Sequence, residues 1–298
     1  MKPPPFTYRR ATDLDEALAT LAEVGDDGKV LAGGQSLVPL LNFRLAAPKF
    51  LVDVNRVTGL DGVETTDAHV RVGATVRHAD LEHDEAAHAA NPLLRRALAH
   101  VAHPVIRNRG TTVGSIAHAD PAGEMPAVLA LLGGHGEVAS TRGTRTVTPD
   151  ELFVGPLESS LAADELLTHV VFPTPPARSG SAVAELARRH GDYAMAGVVA
   201  LVGLDADLHV STAHVAYLGL AGVPVVVDLA EQLAGQPHDA LEPADAARDA
   251  VGHTDPHDDI HATAEYRRHL AGVLTARALR SAAEDAAART PATTEAST

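Results

Sequence analysis

Cysteine is absent from the 298 residues. That excludes a disulfide framework, a thiol nucleophile and any iron–sulfur cluster ligated by this chain. Tryptophan is absent too, and aromatics make up only 3%. The cores are therefore built mainly from Ala, Val and Leu, and a site that stacks a large ring has few candidates, each Tyr being one. Positive charge is short: 24 Lys and Arg stand against 39 Asp and Glu, a formal net charge of −15. Such a balance argues against non-specific binding to nucleic acid or to an anionic membrane. It also implies that a phosphate held here is held by backbone amides. No apolar run is long enough for a membrane span, and the N-terminus has no apolar signal core, so the chain reads as cytoplasmic.

What is present is a globular composition, 45% apolar, in a length that suggests two or three domains. Thr12 and Asp13 are cap candidates for an amphipathic helix reaching about Glu23. A short strand at 29–32, a glycine turn, a helix and a second strand at 50–54 predict a small α/β unit, residues 1–55. Residues 56–173 then mix short strands (69–72 and 75–76), helices at 79–85 and 92–101, a loop at 107–115, a helix opening at Asp120–Pro121 and reaching about Leu132, a hairpin across Arg142–Gly143, and a strand at 166–172. The Pro-rich stretch 174–181 is the clearest linker. Beyond it, residues 182–285 suggest a mainly antiparallel sheet (strands near 197–204, 208–217 and 224–227) with helices at about 228–233 and 259–280. Residues 286–298 have little to bury and read as a disordered tail.

Two glycine-bearing segments carry the chemistry. In the first, Ala32, Gly33, Gly34, Gln35, Ser36 and Leu37 join a strand to an apolar helix. Gly33 and Gly34 can take positive φ, Ser36 is an N-cap candidate, and Pro39 falls in the first turn, where it removes no intrahelical bond. Unpaired N–H groups at such a helix entrance suit a phosphate, although a plain strand-to-helix turn reads the same way. In the second, Gly110–Ser115 is filled with small residues, so backbone amides and the hydroxyls of Thr111, Thr112 and Ser115 can face a ligand. Glu124, in the first turn of the next helix, can accept from two vicinal hydroxyls, as acidic residues do on a ribose. Phosphate loop and ribose carboxylate together describe a nucleotide. Two such loops fit a dinucleotide lying between small domains, or are two unrelated surface loops. Neither matches a Rossmann or P-loop spacing.

These motifs, in order, resemble the FAD-binding medium subunit of the molybdenum hydroxylases, the group of the carbon monoxide and xanthine dehydrogenase flavoproteins. Residues 32–39 and 111–121 look like its two flavin signatures, and 258–279 resembles its C-terminal helix, so the likeness extends to about Ala283. The resemblance implies an α+β fold of the p-cresol methylhydroxylase/vanillyl-alcohol oxidase type, two FAD-binding subdomains followed by a small α+β domain. It implies one non-covalent FAD, with the pyrophosphate on Ala32–Leu37, the second loop supplied by Thr111, Gly114 and Ser115, and Glu124 on the adenosine ribose. His118 and Asp120 are carried over as residues approaching the flavin, and Tyr193 as an aromatic near one face of the isoalloxazine; core packing is the other reading of Tyr193. Val113 and Ser115 stand where relatives have glycine and asparagine, which implies an altered loop. Where relatives carry lysines this chain has Arg188 and Arg189, of which Arg189 is the candidate cation.

The same resemblance implies partners: an iron–sulfur small subunit and a molybdenum large subunit, with NAD, a quinone, a cytochrome or oxygen as final acceptor. The absence of cysteine agrees, since the clusters must sit on another chain. No side chain need act as acid or base, so no catalytic residue is expected. The alternatives are a stand-alone flavin oxidase or reductase and a flavin-less subunit that keeps the fold. Histidine is abundant, but His253, His257 and His261 fall at a helix entrance rather than along a formed helix, and no metal site is expected. His100 and His103 read as a helix end. No Gly-x-Ser-x-Gly elbow supports nucleophilic catalysis.

Overall fold

The computed structural model describes residues 2–290. Its first unit runs β1 (Thr7–Arg10), α1 (Leu14–Val24), β2 (Gly28–Leu31), α2 (Leu37–Phe43) and β3 (Phe50–Asp53). The three strands form a parallel sheet in the order β1-β3-β2. Asp13 caps α1 by accepting from the Glu16 N–H (2.8 Å), while Glu16 reaches back to the Thr12 N–H (2.8 Å), a reciprocal cap that fixes the helix start. β1 was not expected. Its four residues are mostly exposed and carry no apolar alternation from which a strand could be read.

The second unit holds β4 (Val63–Thr65), β5 (His69–Gly73), a string of helices, α3 (His78–His83), α4 (Glu85–Ala90), α5 (Pro92–Leu98), α6 (Pro104–Arg107), α7 (Thr112–His118) and α8 (Glu124–Leu131), then β6 (His135–Ser140), β7 (Gly143–Val147), α9 (Pro149–Leu152), the small hairpin β8 (Phe153–Gly155) and β9 (Glu158–Ser159), and β10 (Leu166–Pro173). Its antiparallel sheet has the order β4-β5-β10-β6-β7. The strand expected at 75–76 is not one; those residues leave β5 through a turn toward α3. The loop expected through 107–115 is confined to residues 108–111, between the end of α6 at Arg107 and the start of α7 at Thr112. The helix expected from Asp120 begins at Glu124, because Asp120 spends its carboxylate on the Ala122 N–H (2.9 Å) in a preceding turn.

The third unit is an antiparallel sheet, β11 (Ser179–Ala187), β12 (Ala194–Leu204), β13 (Val210–Leu218) and β14 (Val225–Asp228), paired in that order, with α10 (Ala230–Leu233), α11 (Ala244–Val251) and α12 (Ala264–Arg289). β11 corrects the linker expectation: residues 179–181 are already strand. Its small residues reflect contact, since a Cβ on Gly180 would lie 2.1 Å from the Ala286 backbone nitrogen and 2.3 Å from the Ala282 carbonyl. α12 therefore lies directly on the strand backbone, and only small side chains allow that approach. α12 starts later than expected, with Thr263 accepting from the Tyr266 N–H (3.2 Å), and it extends through 286–289, where Ala286 is fully buried. The rest of the expected tail, 291–298, lies outside the described residues.

One apolar core spans the first two units and takes in Ala194, Val199, Ala216 and Leu218 of the third; a second fills the space between the β11–β14 sheet and α11 and α12. Arg96 on α5 clamps the units together: it donates to Asp285 Oδ1 of α12 (2.5 Å), and the other Asp285 oxygen accepts from the Ser181 N–H of β11 (2.9 Å). No described helix is long and apolar enough to cross a membrane.

Candidate functional site

The first glycine turn leaves the carboxyl end of β2, the place where ligands collect at an open parallel sheet. Only Gly34 takes a positive φ (72°); Gly33 does not, and its reason for being glycine is contact. A Cβ there would fall 2.5 Å from the Arg109 carbonyl oxygen, 2.7 Å from Gly110 Cα and 2.9 Å from the Thr111 nitrogen. The two glycine segments, 77 positions apart in sequence, thus touch backbone to backbone. Ser36 stands before α2 but in helical conformation, and its hydroxyl caps nothing. Among the described residues no protein group accepts the N–H of Gly33, Gly34, Gln35, Ser36 or Leu37. Five consecutive open amides make an anion-binding concavity.

The second segment is more helical than the sequence suggests. Thr111 caps α7, its hydroxyl accepting from the Gly114 N–H (3.2 Å), and Thr112 is fully buried, bonded through Oγ1 to His78 Nδ1 (3.1 Å). Burial, reinforced by Arg107, pushes the His78 imidazole down to about 4, so it is neutral near pH 7. Thr111 accepts in the cap and keeps its O–H to donate, Thr112 is turned to His78, and Ser115 is half-buried with its hydroxyl unpaired among the described residues. Val113 sits inside α7 as a core residue at 2% exposure, with no left-handed backbone. Its backbone is ordinary helix, so the β-branched side chain brings no strain at this position.

A clamp unseen in the sequence holds both segments. Asn55 Nδ2, just past β3, donates to the Ala32 carbonyl (2.9 Å) in the first segment. Its Oδ1 accepts from Arg77 Nη2 (2.7 Å), and Arg77 Nη1 donates to the Arg109 carbonyl (2.7 Å) in the second. The His78 N–H adds a bond to the Gly110 carbonyl (2.9 Å). No motif announces these residues, because their partners are distant backbone carbonyls.

Glu124 is the first residue of α8. Burial, with Glu185 and Asp120 adding to it and His100 opposing, raises its carboxyl to about 8, so at neutral pH it is largely a neutral acid able to donate a hydrogen bond. Glu185 on β11 faces His100 (Oε1 to Nδ1, 3.3 Å), and its other oxygen is buried without a partner. The Glu185 hydrogen bond, which outweighs the cost of burial, lifts His100 above its ordinary value. His100 is thus more than the helix-end cation expected of it. Beside this group opens a cleft of about 390 Å³ lined by Asp120, Arg188, Tyr193, Met195 and Arg267. Tyr193 is 67% exposed, which removes the core-packing reading. Arg188 and Arg189 both pair with Asp192 (2.9 and 3.4 Å), but of the two only Arg188 lines the cleft, and the Arg189 side chain is 79% exposed. His118 ends α7, half-buried. On the far wall, Arg267 of α12 ties the Met195 carbonyl (2.5 Å) to Asp259 Oδ2 (2.6 Å). Asp259 also accepts from the N–H groups of His261 and Ala262, and these bonds hold its carboxyl down at about 2.

The family model for the FAD binding domain in molybdopterin dehydrogenase matches residues 4–175, and that for the CO dehydrogenase flavoprotein C-terminal domain matches 181–282. The chain belongs to the molybdenum hydroxylase flavoprotein family. Among its relatives, the 6-hydroxypseudooxynicotine dehydrogenase complex subunit alpha of Paenarthrobacter nicotinovorans is 42% identical over 280 residues, 94% of this chain and 95% of that one. The caffeine dehydrogenase subunit beta of Pseudomonas sp. (strain CBB1) is 41% identical over 286 residues, 95% and 97% of the two chains. In three dimensions the chain is similar to a solved chain of carbon monoxide dehydrogenase from Hydrogenophaga pseudoflava, a structure lacking the Mo-pyranopterin moiety of its cofactor, with a TM-score of 0.89, 34% identity, and 97% and 100% coverage. The fold of this flavoprotein, an FAD-binding domain followed by the C-terminal domain, is the one expected from the motifs, and its cofactor is FAD.

Proposed function

We propose that this chain is the electron-relay subunit of a molybdenum hydroxylase complex, receiving electrons through a partner's iron–sulfur clusters and passing them from FAD to an external acceptor. The observation that carries this reading is the row of open amides at 33–37, set where the two glycine segments meet. In an acidic protein this row holds a pyrophosphate without a basic patch. On the same reading Ala32–Leu37 cradle the pyrophosphate, Thr111, Gly114 and Ser115 shape the second wall, and Glu124 meets the ribose hydroxyls. Tyr193, with Asp120 and His118 nearby, borders the flavin side, and Arg188 rather than Arg189 is the cation there. FAD suits a relay because it exchanges electrons singly or in pairs. Substrate choice is assigned to the molybdenum partner, because relatives of nearly equal identity are named for unrelated substrates.

The test is to purify the chain with its partners and measure flavin absorbance before and after adding substrate anaerobically. The expected result is about one FAD per chain, bleached by substrate in the complex and not in the isolated chain. Steady turnover of a simple donor by the isolated chain would instead make it a stand-alone oxidase or reductase. A colourless protein that FAD cannot reconstitute would leave a flavin-less subunit.

A further inference from the structure

Asn55 ties the two glycine segments together, so whatever fixes Asn55 fixes their meeting. An asparagine amide has ends of opposite character, two donors on Nδ2 and an acceptor at Oδ1, and it can turn over with little change of shape. Three neighbours decide its direction here. Nδ2 donates to the Ala32 carbonyl (2.9 Å) and to Asp53 Oδ1 (2.6 Å), while Oδ1 accepts from Arg77. Turned over, the amide would set its oxygen against a carbonyl and a carboxylate, and its NH2 against a guanidinium. Ala32 and Arg77 are the two ends of the clamp. Asp53 is the third neighbour, and it also accepts the Asn55 backbone N–H (2.8 Å), so it grips that residue by main chain and side chain together.

Asp53 ends β3, the central strand of the first sheet, and is only 9% exposed. Among the described residues no cation forms an ion pair with it, and a carboxylate that deep is costly unless its oxygens are bonded. Oδ1 takes both Asn55 donors, and Oδ2 accepts the Tyr8 O–H. Tyr8 comes from the neighbouring strand β1. Arg10 donates to its oxygen (3.2 Å) and lies over its ring (5.6 Å to the centroid), which leaves the phenol proton for Asp53. Burial pushes the Asp53 carboxyl up, but the bonds from Tyr8 and Asn55 and the charge of Arg10 outweigh it and hold it below its ordinary value. An unbroken line of hydrogen bonds thus runs from Tyr8 through Asp53, Asn55 and Arg77 to the Arg109 carbonyl, with a branch to Ala32. It gives β1, a short exposed strand, a reason to carry one of the four tyrosines.

We propose that Asp53 and Tyr8 are positioning residues of the FAD seat. Asp53 sets which way the Asn55 amide points, and through it how the two glycine segments are held; Tyr8 holds Asp53. Neither side chain touches the cofactor. The proposal rests on the reading that FAD's pyrophosphate lies where those segments meet.

The test titrates the full-length chain, stripped of FAD, with FAD by flavin fluorescence, and follows thermal unfolding without FAD in parallel. The variants are Asp53→Ala, Tyr8→Phe, Asn55→Ala, and each of the first two combined with Asn55→Ala. Asp53→Ala is expected to raise the FAD dissociation constant about tenfold, and Tyr8→Phe about threefold. In the Asn55→Ala background both effects should shrink to less than about twofold, as residues acting through Asn55 require. A merely structural role would lower the unfolding temperature and leave the losses additive. FAD binding by Asp53→Ala within twofold of the parent, or losses that add in the combined variant, would overturn the proposal. Should Asp53→Ala not fold, Tyr8→Phe decides, since Tyr8 is 44% exposed: unchanged affinity, or the same loss with and without Asn55, refutes the line. A parent chain that takes up no FAD counts instead against the reading of the seat, and the unmutated arm shows it before any variant is compared.

Discussion

Substituting Gly33 by alanine isolates the contact between the two glycine segments from every other property of the turn. Its φ is not left-handed, so an alanine there brings no backbone strain; it brings one methyl group into a space already filled. That methyl would sit 2.5 Å from the Arg109 carbonyl oxygen, where ordinary contact begins at 3.4 Å. The segments must separate by roughly 1 Å, an overpacking cost on the order of 1–3 kcal/mol. The heavier effect falls on the cofactor. A shift of that size misaligns amides on one side of the pyrophosphate, and each lost bond to a charged group costs about 1.5–3 kcal/mol. Loss of one or two such bonds raises the FAD dissociation constant about 10²-fold. Titrating the apoprotein with FAD, followed by flavin fluorescence, reads this directly, and thermal unfolding without FAD reads the packing cost. Gly62→Ala is the control, since its Cβ meets nothing within 4 Å. If Gly33→Ala bound FAD within about threefold of the parent, the two segments would not jointly form the seat.

Arg77→Ala removes the guanidinium that joins Asn55 to the Arg109 carbonyl. FAD binding is expected to weaken about tenfold, with Asn55→Ala giving a similar loss and the double variant little more, as a shared network requires; full additivity in the titration would refute the clamp. Glu124 makes stability of the apoprotein depend on pH. Its carboxyl titrates at about 8 when folded, against an ordinary value of 4.5, so the folded state keeps a proton that the unfolded chain releases. This contribution is complete below about pH 4.5, declines as pH rises through the window, and is lost above about 8. Glu124→Gln should flatten the fall in Tm over that range; an unchanged slope would remove the buried acid from the account. Arg96→Ala leaves the Asp285 carboxylate without its charged partner at the junction of α5, β11 and α12. A loss of roughly 2 kcal/mol in urea unfolding is expected, and a loss under about 0.5 would mean that water replaces the arginine without penalty.

Legibility in the sequence followed how local the cause was. The Ala32–Leu37 turn, the 135–147 hairpin and strand 166–172 were readable, because turn chemistry and apolar runs are written in consecutive residues. β11 was not: Ser179, Gly180 and Ser181 look like linker because α12, a hundred residues later, demands small side chains there. α7 hid behind Thr111, Thr112 and Gly114, residues of poor helix propensity that the structure uses as a cap, a buried bond to His78 and room for the capping hydroxyl, which a Cβ on Gly114 would meet at 2.4 Å. Asn55, Arg77 and the Glu185–His100 pair carry no signature at all, since their roles exist only once distant elements have folded together.

The backbone contact at Gly33 bears on how such a protein can change over time. Neither glycine segment defines its half of the seat alone, so positions 33 and 109–111 form one inherited unit. A relative's first segment grafted onto this chain without its second should fit poorly even when each works in its own parent. Exchange of both together should succeed, and drift in one should be tolerated only after compensating change in the other.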